Sequence, residues 1–190
     1  MRIGVYGYTD KRPVVYALLK LLSATGDVAL FSSNRHYKRL LDYGESKGHM
    51  ANVMIAVSDA SPDEIFEEIG YNADDFDHII FDLQDTMPEQ LSLVLHVKGY
   101  KPGEDEQAFL ELLDDCRTVK MMYDGKKERG CVNVPPLSTL WRAVEQIEAF
   151  RLLLPLPSDT LNKGLAAMLA PLLNMKEKAV VALLKRRALR

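Results

Sequence analysis

Short apolar, β-branched runs alternate along the chain with longer segments in which apolar residues recur at helical spacing. That alternation marks βα units wound around a mostly parallel sheet. Strands are predicted at Arg2–Tyr6, Val28–Ser32, Val53–Val57, His78–Leu83, Leu91–Val97, Thr118–Tyr123 and Arg151–Leu154. The clearest run, Asp77-His78-Ile79-Ile80-Phe81-Asp82, is apolar between flanking acids, as suits a strand buried on both faces. Helices are predicted at Pro13–Ser23, Arg35–Tyr43, Pro62–Ile69, Glu104–Asp115, Leu137–Phe150 and from Asp159 onward. Ser61-Pro62-Asp63-Glu64 sets a capping hydroxyl before a first-turn proline, with carboxylates at the positive end of the helix dipole. Ser138-Thr139 and Ser158-Asp159-Thr160 open two more helices, and Gly26, Gly70 and Gly103 fall between elements as turns require. The expected architecture is an α/β domain over residues 1–157, with a mostly parallel, doubly wound sheet flanked by helices. A C-terminal helical extension with a basic end follows over residues 158–190, after the break at Leu154-Pro155-Leu156-Pro157-Ser158.

Composition narrows this picture. With 190 residues, 47% of them hydrophobic, the chain suffices for one full core and is neither disordered nor low-complexity. It has no run of about 18 uncharged apolar residues, and Met1 leads directly into a strand with no room for a signal peptide, so a cytoplasmic location is expected. Charge is unevenly spread. Residues 176–190 hold six cations against Glu177, a local +5 in a chain of net charge −3, so the remainder carries −8. An acidic body argues against broad nucleic-acid binding, which needs a basic surface.

The stretch with most chemical content is Arg2-Ile3-Gly4-Val5-Tyr6-Gly7, then Tyr8-Thr9-Asp10-Lys11-Arg12-Pro13-Val14, then the apolar helix. Strand, tight loop and helix in this order is where phosphate-binding proteins converge loop amides and a helix N-terminus on an anion. Two readings of the cations are open: Thr9, Lys11 and Arg12 form a non-standard phosphate cradle, or the basic pair is simply solvated. Pro13 serves as a first helical residue in either case.

The arrangement resembles the ParA/MinD family of deviant-Walker ATPases, in element order over residues 1–157. Thr25-Gly26-Asp27-Val28-Ala29-Leu30-Phe31 is similar to that family's second strand. Phe76-Asp77-His78-Ile79-Ile80-Phe81-Asp82-Leu83 is similar to its acid-ended strand, which implies that Asp82 lies where the nucleotide magnesium sits. The departures are as informative as the match. Against the family's G-K-G-G-x-G-K-(S/T), this chain reads Gly7-Tyr8-Thr9-Asp10-Lys11-Arg12-Pro13-Val14, so Tyr8 replaces the signature lysine, Pro13 the phosphate lysine and Val14 the metal-binding hydroxyl. Only Gly7 remains of the glycines. Those glycines admit close backbone approach, the lysine offsets phosphate charge, and the hydroxyl holds the metal. Asp10 adds negative charge where a triphosphate would lie.

The resemblance therefore implies a catalytically degenerate member: a scaffold or localisation protein without a cofactor, working through protein contacts. By analogy its nearest subgroup is the atypical ATPase-like proteins of Tad-type pilus assembly (TadZ/CpaE). Family members pair face to face across the nucleotide, which implies a homodimer here without that bridge. Tyr6, Tyr8, Lys11 and Arg12 are the expected exposed residues of that face. The competing readings are an ATPase whose rearranged loop binds nucleotide through Gly7, Thr9, Lys11, Arg12 and Asp82, and a DNA-partition accessory using the basic tail.

Other constellations give less. Asp82 and Asp85 just past the central strand, with Asp10, can hold a divalent cation or can be turn-forming acids. A phosphoacceptor receiver domain would use Asp59 after the third strand and Lys120. His36, His49, His78 and His96 have no zinc-like spacing with Cys116 or Cys131, so no metal site is expected, and Cys131 reads as a packed residue. Along the C-terminal segment Val180, Leu183 and Leu184 share a helical face, with Lys178, Lys185 and Arg186 mostly opposite and Lys176 and Arg187 intruding on the apolar side. In MinD-like proteins such a helix binds anionic membrane. The other reading is a helix docked on its own domain or on a partner, its cations (Lys185, Arg186, Arg187) in solvent.

Overall fold

The computed structural model describes residues 1–84, 88, 90–99, 101, 103–113 and 116–187. Its strands are β1 (Arg2–Tyr6), β2 (Val28–Ser32), β3 (Lys47–Met50), β4 (Val53–Val57), β5 (His78–Asp82), β6 (Leu93–Lys98), β7 (Cys116–Met121) and β8 (Val132–Val134). They form one sheet in the order β3-β4-β2-β5-β1-β6-β7-β8. Every neighbouring pair is parallel except β3 with β4. The fold is thus the predicted α/β class, a mostly parallel sheet with helices on both faces.

Alternation along the strands decides which face each side chain serves. Ile3 and Val5 of β1, Val28 and Leu30 of β2 and Ile80 of β5 join one core. Tyr6, Ala29, Phe31, Ile79 and Phe81 join the other. The first core is covered by α1 (Arg12–Leu22), α4 (Ser138–Phe150), α5 (Asp159–Leu169) and α6 (Glu177–Lys185), the second by α2 (Pro62–Ile69) and α3 (Glu104–Glu111). α1 is buried on nearly every side, and each of its fully buried leucines and valines contributes about 1.5–3 kcal/mol relative to exposure.

Local chemistry sets the boundaries. Ser61 and Glu64 form a reciprocal capping box at the start of α2, and Gly70 ends it in the left-handed conformation. Ser158 Oγ accepts from the Leu161 amide to start α5. Gly164 lets α5 press onto β8, because a Cβ there would lie 2.4 Å from Val132 Cγ1.

Several elements differ from expectation. The polar segment Lys47–Met50 forms β3, an edge strand paired antiparallel to β4, and Val132–Val134 forms β8. The segment predicted as a strand at Arg151–Leu154 is irregular: Arg151 ends α4 in the left-handed conformation, at φ 49°, and residues 152–154 form neither strand nor helix. The predicted helix at Arg35–Tyr43 is a 3-10 helix over Arg35–Leu40, started by Asn34, whose side chain accepts from the His36 amide. The helical tail from Asp159 is two helices, α5 and α6, separated at Pro171. The predicted helix end at Asp115, the acid Asp85 and the cation Arg190 lie outside the described residues. Val180 and Leu184 are buried in the first core, where α6 meets α1 and α5, so this face of the helix points inward. Leu183 is half-buried, and Lys185, Arg186 and Arg187 are exposed. Among the described residues no helix is long and apolar enough to cross a membrane.

Candidate functional site

The loop between β1 and α1 sits at the carboxyl ends of the central strands, where open α/β sheets place their ligands. Gly7 begins it at φ +135°, and a Cβ there would lie 2.3 Å from the Val97 carbonyl oxygen of β6, so the turn tolerates only glycine. Thr9 packs against Gly99. Pro13 lies in the first turn of α1 and is buried, in the structural role expected of it.

The loop cations are paired with acids of the chain. Lys11 is not solvated: it is 8% exposed, and its Nζ lies 2.6 Å from Asp82 Oδ1 and donates to the Leu83 carbonyl at 2.7 Å. The register that sets Val5 of β1 beside Asp82 of β5 brings this acid to the loop. Ser32 Oγ, from the end of β2, donates to Asp82 Oδ2 at 2.6 Å. The Asp82 side chain is fully enclosed. Breaking such a buried pair by removing one partner typically costs about 3–5 kcal/mol.

Arg12 is similarly committed. Its Nε and one terminal nitrogen bond the Asp10 carboxylate, the shortest contact being 2.6 Å, and its other terminal nitrogen bonds Glu148 Oε1 at 2.8 Å. Asp10 Oδ1 also accepts from the Arg12 backbone amide at 3.0 Å, so a carboxylate of the chain itself sits on a loop amide at the helix start. Hydrogen bonding to Asp10 raises the Arg12 pKa above its ordinary value despite partial burial.

Glu148, from the last turns of α4, collects three donors: Arg12, Arg39 at 2.9 Å and the Tyr16 hydroxyl at 2.9 Å. Burial pushes its carboxyl up, but the bonds from Arg39, Arg12 and Tyr16 outweigh that and hold it below the usual value. Burial, then the charge of Glu148, pushes the Tyr16 phenol well up.

Two residues expected on an exposed face are not exposed. Tyr6 is buried and stacks on Phe109 with ring centroids 4.2 Å apart, and Lys11 is buried as described. Tyr8 is exposed and Arg12 partly so. Asp10 and Asp82 face Arg12 and Lys11 instead of converging on a cation, and among the described residues no group of three His, Cys, Asp or Glu is placed to hold a metal. The receiver reading is overturned. Asp59 follows β4 and Lys120 lies in β7, with four strands between them, about 24 Å at normal strand spacing. Lys120 instead faces Asp124 and Glu128.

Ser32, Arg39, Tyr16 and Glu148 were not singled out from the sequence. Ser32 had one available signal, its place at the carboxyl end of a predicted central strand. Glu148 had none, since it lies 136 residues beyond Arg12.

No protein-family model matches the chain, and no curated protein matches it by sequence. Among solved structures it is similar to the MinD cell division protein of Aquifex aeolicus, with a TM-score of 0.52 over 100% of this chain and 99% of that one, at 10% identity. The chain has a MinD-like fold. It superposes as well on a MinC:MinD cell division protein complex of Aquifex aeolicus, with a TM-score of 0.53, 10% identity, and coverage of 100% of this chain and 98% of that chain. At such identity the likeness is one of architecture. In this MinD-like fold, Lys11, Arg12, Asp10 and Asp82 occupy the loop and strand end that the sequence resemblance assigned to phosphate and magnesium.

Proposed function

We propose that the chain is a non-catalytic ParA/MinD-like protein, a scaffold or localisation factor that acts through contacts with other proteins, TadZ/CpaE-like proteins being the nearest functional analogy. The observation that carries this reading is the internal neutralisation of the first loop. Lys11 faces Asp82, and Arg12 faces Asp10 and Glu148, so the cations are already matched by acids of the same chain. A polyphosphate entering there would have to displace Asp10 from the Arg12 amide and leave three carboxylates beside its own charge.

The surface supports action by contact. Tyr8 is 58% exposed, Tyr43 is fully exposed beside a cleft of about 590 Å3 between the 3-10 helix and α4, and Phe150 at the end of α4 is 69% exposed. Exposed aromatics of this kind are enriched where proteins meet. A homodimer on this reading forms without a nucleotide bridge, with Tyr8 and Arg12 on its face.

The test combines phosphate release by the full chain with a crystal grown in excess Mg-ATP. The expected result is no turnover and no nucleotide at the amides of residues 8–14. Steady turnover, or a triphosphate seated at those amides, would overturn the proposal and favour the nucleotide-binding enzyme.

A further inference from the structure

At the opposite, amino-terminal edge of the sheet, a cavity of about 350 Å3 opens between the end of α1, the β3–β4 turn, the segment after α4 and the end of α6. Lys20, Arg151, Arg186 and Arg187 line it, and among the described residues its wall contains no Asp or Glu. Arg151 is paired with Asp42. Among the described residues Lys20, Arg186 and Arg187 have no carboxylate partner.

Lys20 is the decisive group. It is only 8% exposed, and its Nζ donates to the Leu153 carbonyl at 2.9 Å, which uses one of its three donors. Burial, and then the charge of Arg186, pulls its pKa below the ordinary value. A mostly buried ammonium that shares its cavity with two guanidinium groups and no carboxylate favours an anion beside it. The rest of the wall includes Met50, Leu152, Leu153 and Leu183, a low-polarity lining that strengthens any ion pair formed inside.

We propose that this cavity binds a phosphoryl group, with Lys20 as the inner donor and Arg186 and Arg187 as the outer clamp. A phosphoryl anion fits better than a carboxylate because three cations without a carboxylate partner line the space and guanidinium groups match phosphate oxygens in pairs. The volume is at the small end of ligand pockets, enough for a phosphorylated metabolite or a lipid head group. The inference is independent of the reading of the first loop.

The experiment titrates the full chain with pyrophosphate by calorimetry, in the wild type, in Arg186→Glu with Arg187→Glu, and in Lys20→Met with its fold checked by circular dichroism. Arg186 and Arg187 are exposed, so their reversal leaves the core intact. Saturable binding that weakens by roughly tenfold or more in the charge-reversed variant supports the site. A second arm sediments the chain with phosphatidylcholine vesicles with and without phosphatidylglycerol. Sedimentation that requires phosphatidylglycerol and is reversed by pyrophosphate assigns the phosphoryl group to a lipid. Pyrophosphate binding without sedimentation assigns it to a free small molecule. Equal pyrophosphate affinity in wild type and the charge-reversed variant would overturn the proposal, as would the absence of both pyrophosphate binding and pyrophosphate-reversible sedimentation.

Discussion

Lys11 at one end of the sheet and Lys20 at the other are equally buried, each 8% exposed, yet they are balanced in opposite ways. Lys11 meets the Asp82 carboxylate and a carbonyl, whereas Lys20 meets a carbonyl alone. Around Lys11 the neighbouring cations Arg12 and Arg39 also find acids, Asp10 and Glu148. Around Lys20 the neighbours Arg186 and Arg187 add positive charge. The lesson is that equal burial does not imply equal charge balance. At the carboxyl end of the sheet Lys11 and Arg12 are paired with acids of the same chain, whereas at the amino end Lys20, Arg186 and Arg187 line a cavity whose described wall contains no acid.

The comparison breaks most sharply at Asp82. Asp82→Ala strands Lys11 in the interior without its counter-charge and leaves Ser32 without an acceptor, so it should cost about 3–5 kcal/mol. Urea unfolding measures this directly. Adding Lys11→Met to Asp82→Ala should recover much of the loss, because no charge is then left buried. If the double variant is no more stable than the single one, the damage is a packing defect and Lys11 is not held electrostatically.

Glu148 sharpens the same point with a smaller effect. Glu148→Gln keeps the shape but removes the charge that Arg12, Arg39 and Tyr16 share, and should cost on the order of 2 kcal/mol. Since the folded carboxyl titrates below its ordinary value of 4.5, the unfolded chain takes up the proton first as pH falls. Stability from this group is therefore complete above pH 4.5 and is lost as the pH drops through the folded value. The Gln variant should show a shallower acid limb than the wild type in urea unfolding measured from neutral pH downward. Equal acid limbs would mean that Glu148 is not the group whose ionisation ties α4 to the first loop.

How much of this was legible in the sequence follows from where each interaction originates. β5 was readable because a strand buried on both faces must be apolar throughout, and α2 because Ser61, Pro62 and Gly70 each carry a local reason to start or stop a helix. β3 was hidden, since Lys47, Gly48 and His49 adopt a strand through hydrogen bonds to β4 and not by apolar pattern. Arg151–Leu154 misled because its leucines resemble a strand, but they are packing residues in a segment without sheet partners. The location of the first loop was legible from strand, turn and helix. The fate of its cations was not. Lys11 depends on the register between β1 and β5, and Arg12 on a helix far along the chain. The cavity at the amino-terminal edge was equally out of reach, as it joins segments around residues 20, 50, 152 and 186.

The smallest effect concerns Lys20 and tests the other side of the comparison. Lys20→Met removes a buried ammonium that lacks a carboxylate, a gain, and deprives the Leu153 carbonyl of its donor, a loss. The two should cancel to within about 1 kcal/mol, far less than at Asp82. The pH dependence gives the sign. Because burial and Arg186 lower the Lys20 pKa below 10.5, the folded chain releases this proton before the unfolded chain does as pH rises. Its contribution to stability thus increases through the window just below pH 10.5, and the wild type should gain on Lys20→Met as the solution is made alkaline. Saturating pyrophosphate should abolish that gain, since an anion beside Lys20 restores its proton affinity. If the wild type instead loses stability relative to Lys20→Met on the alkaline side without added anion, Lys20 already has a negative partner and the two ends of the sheet are balanced alike.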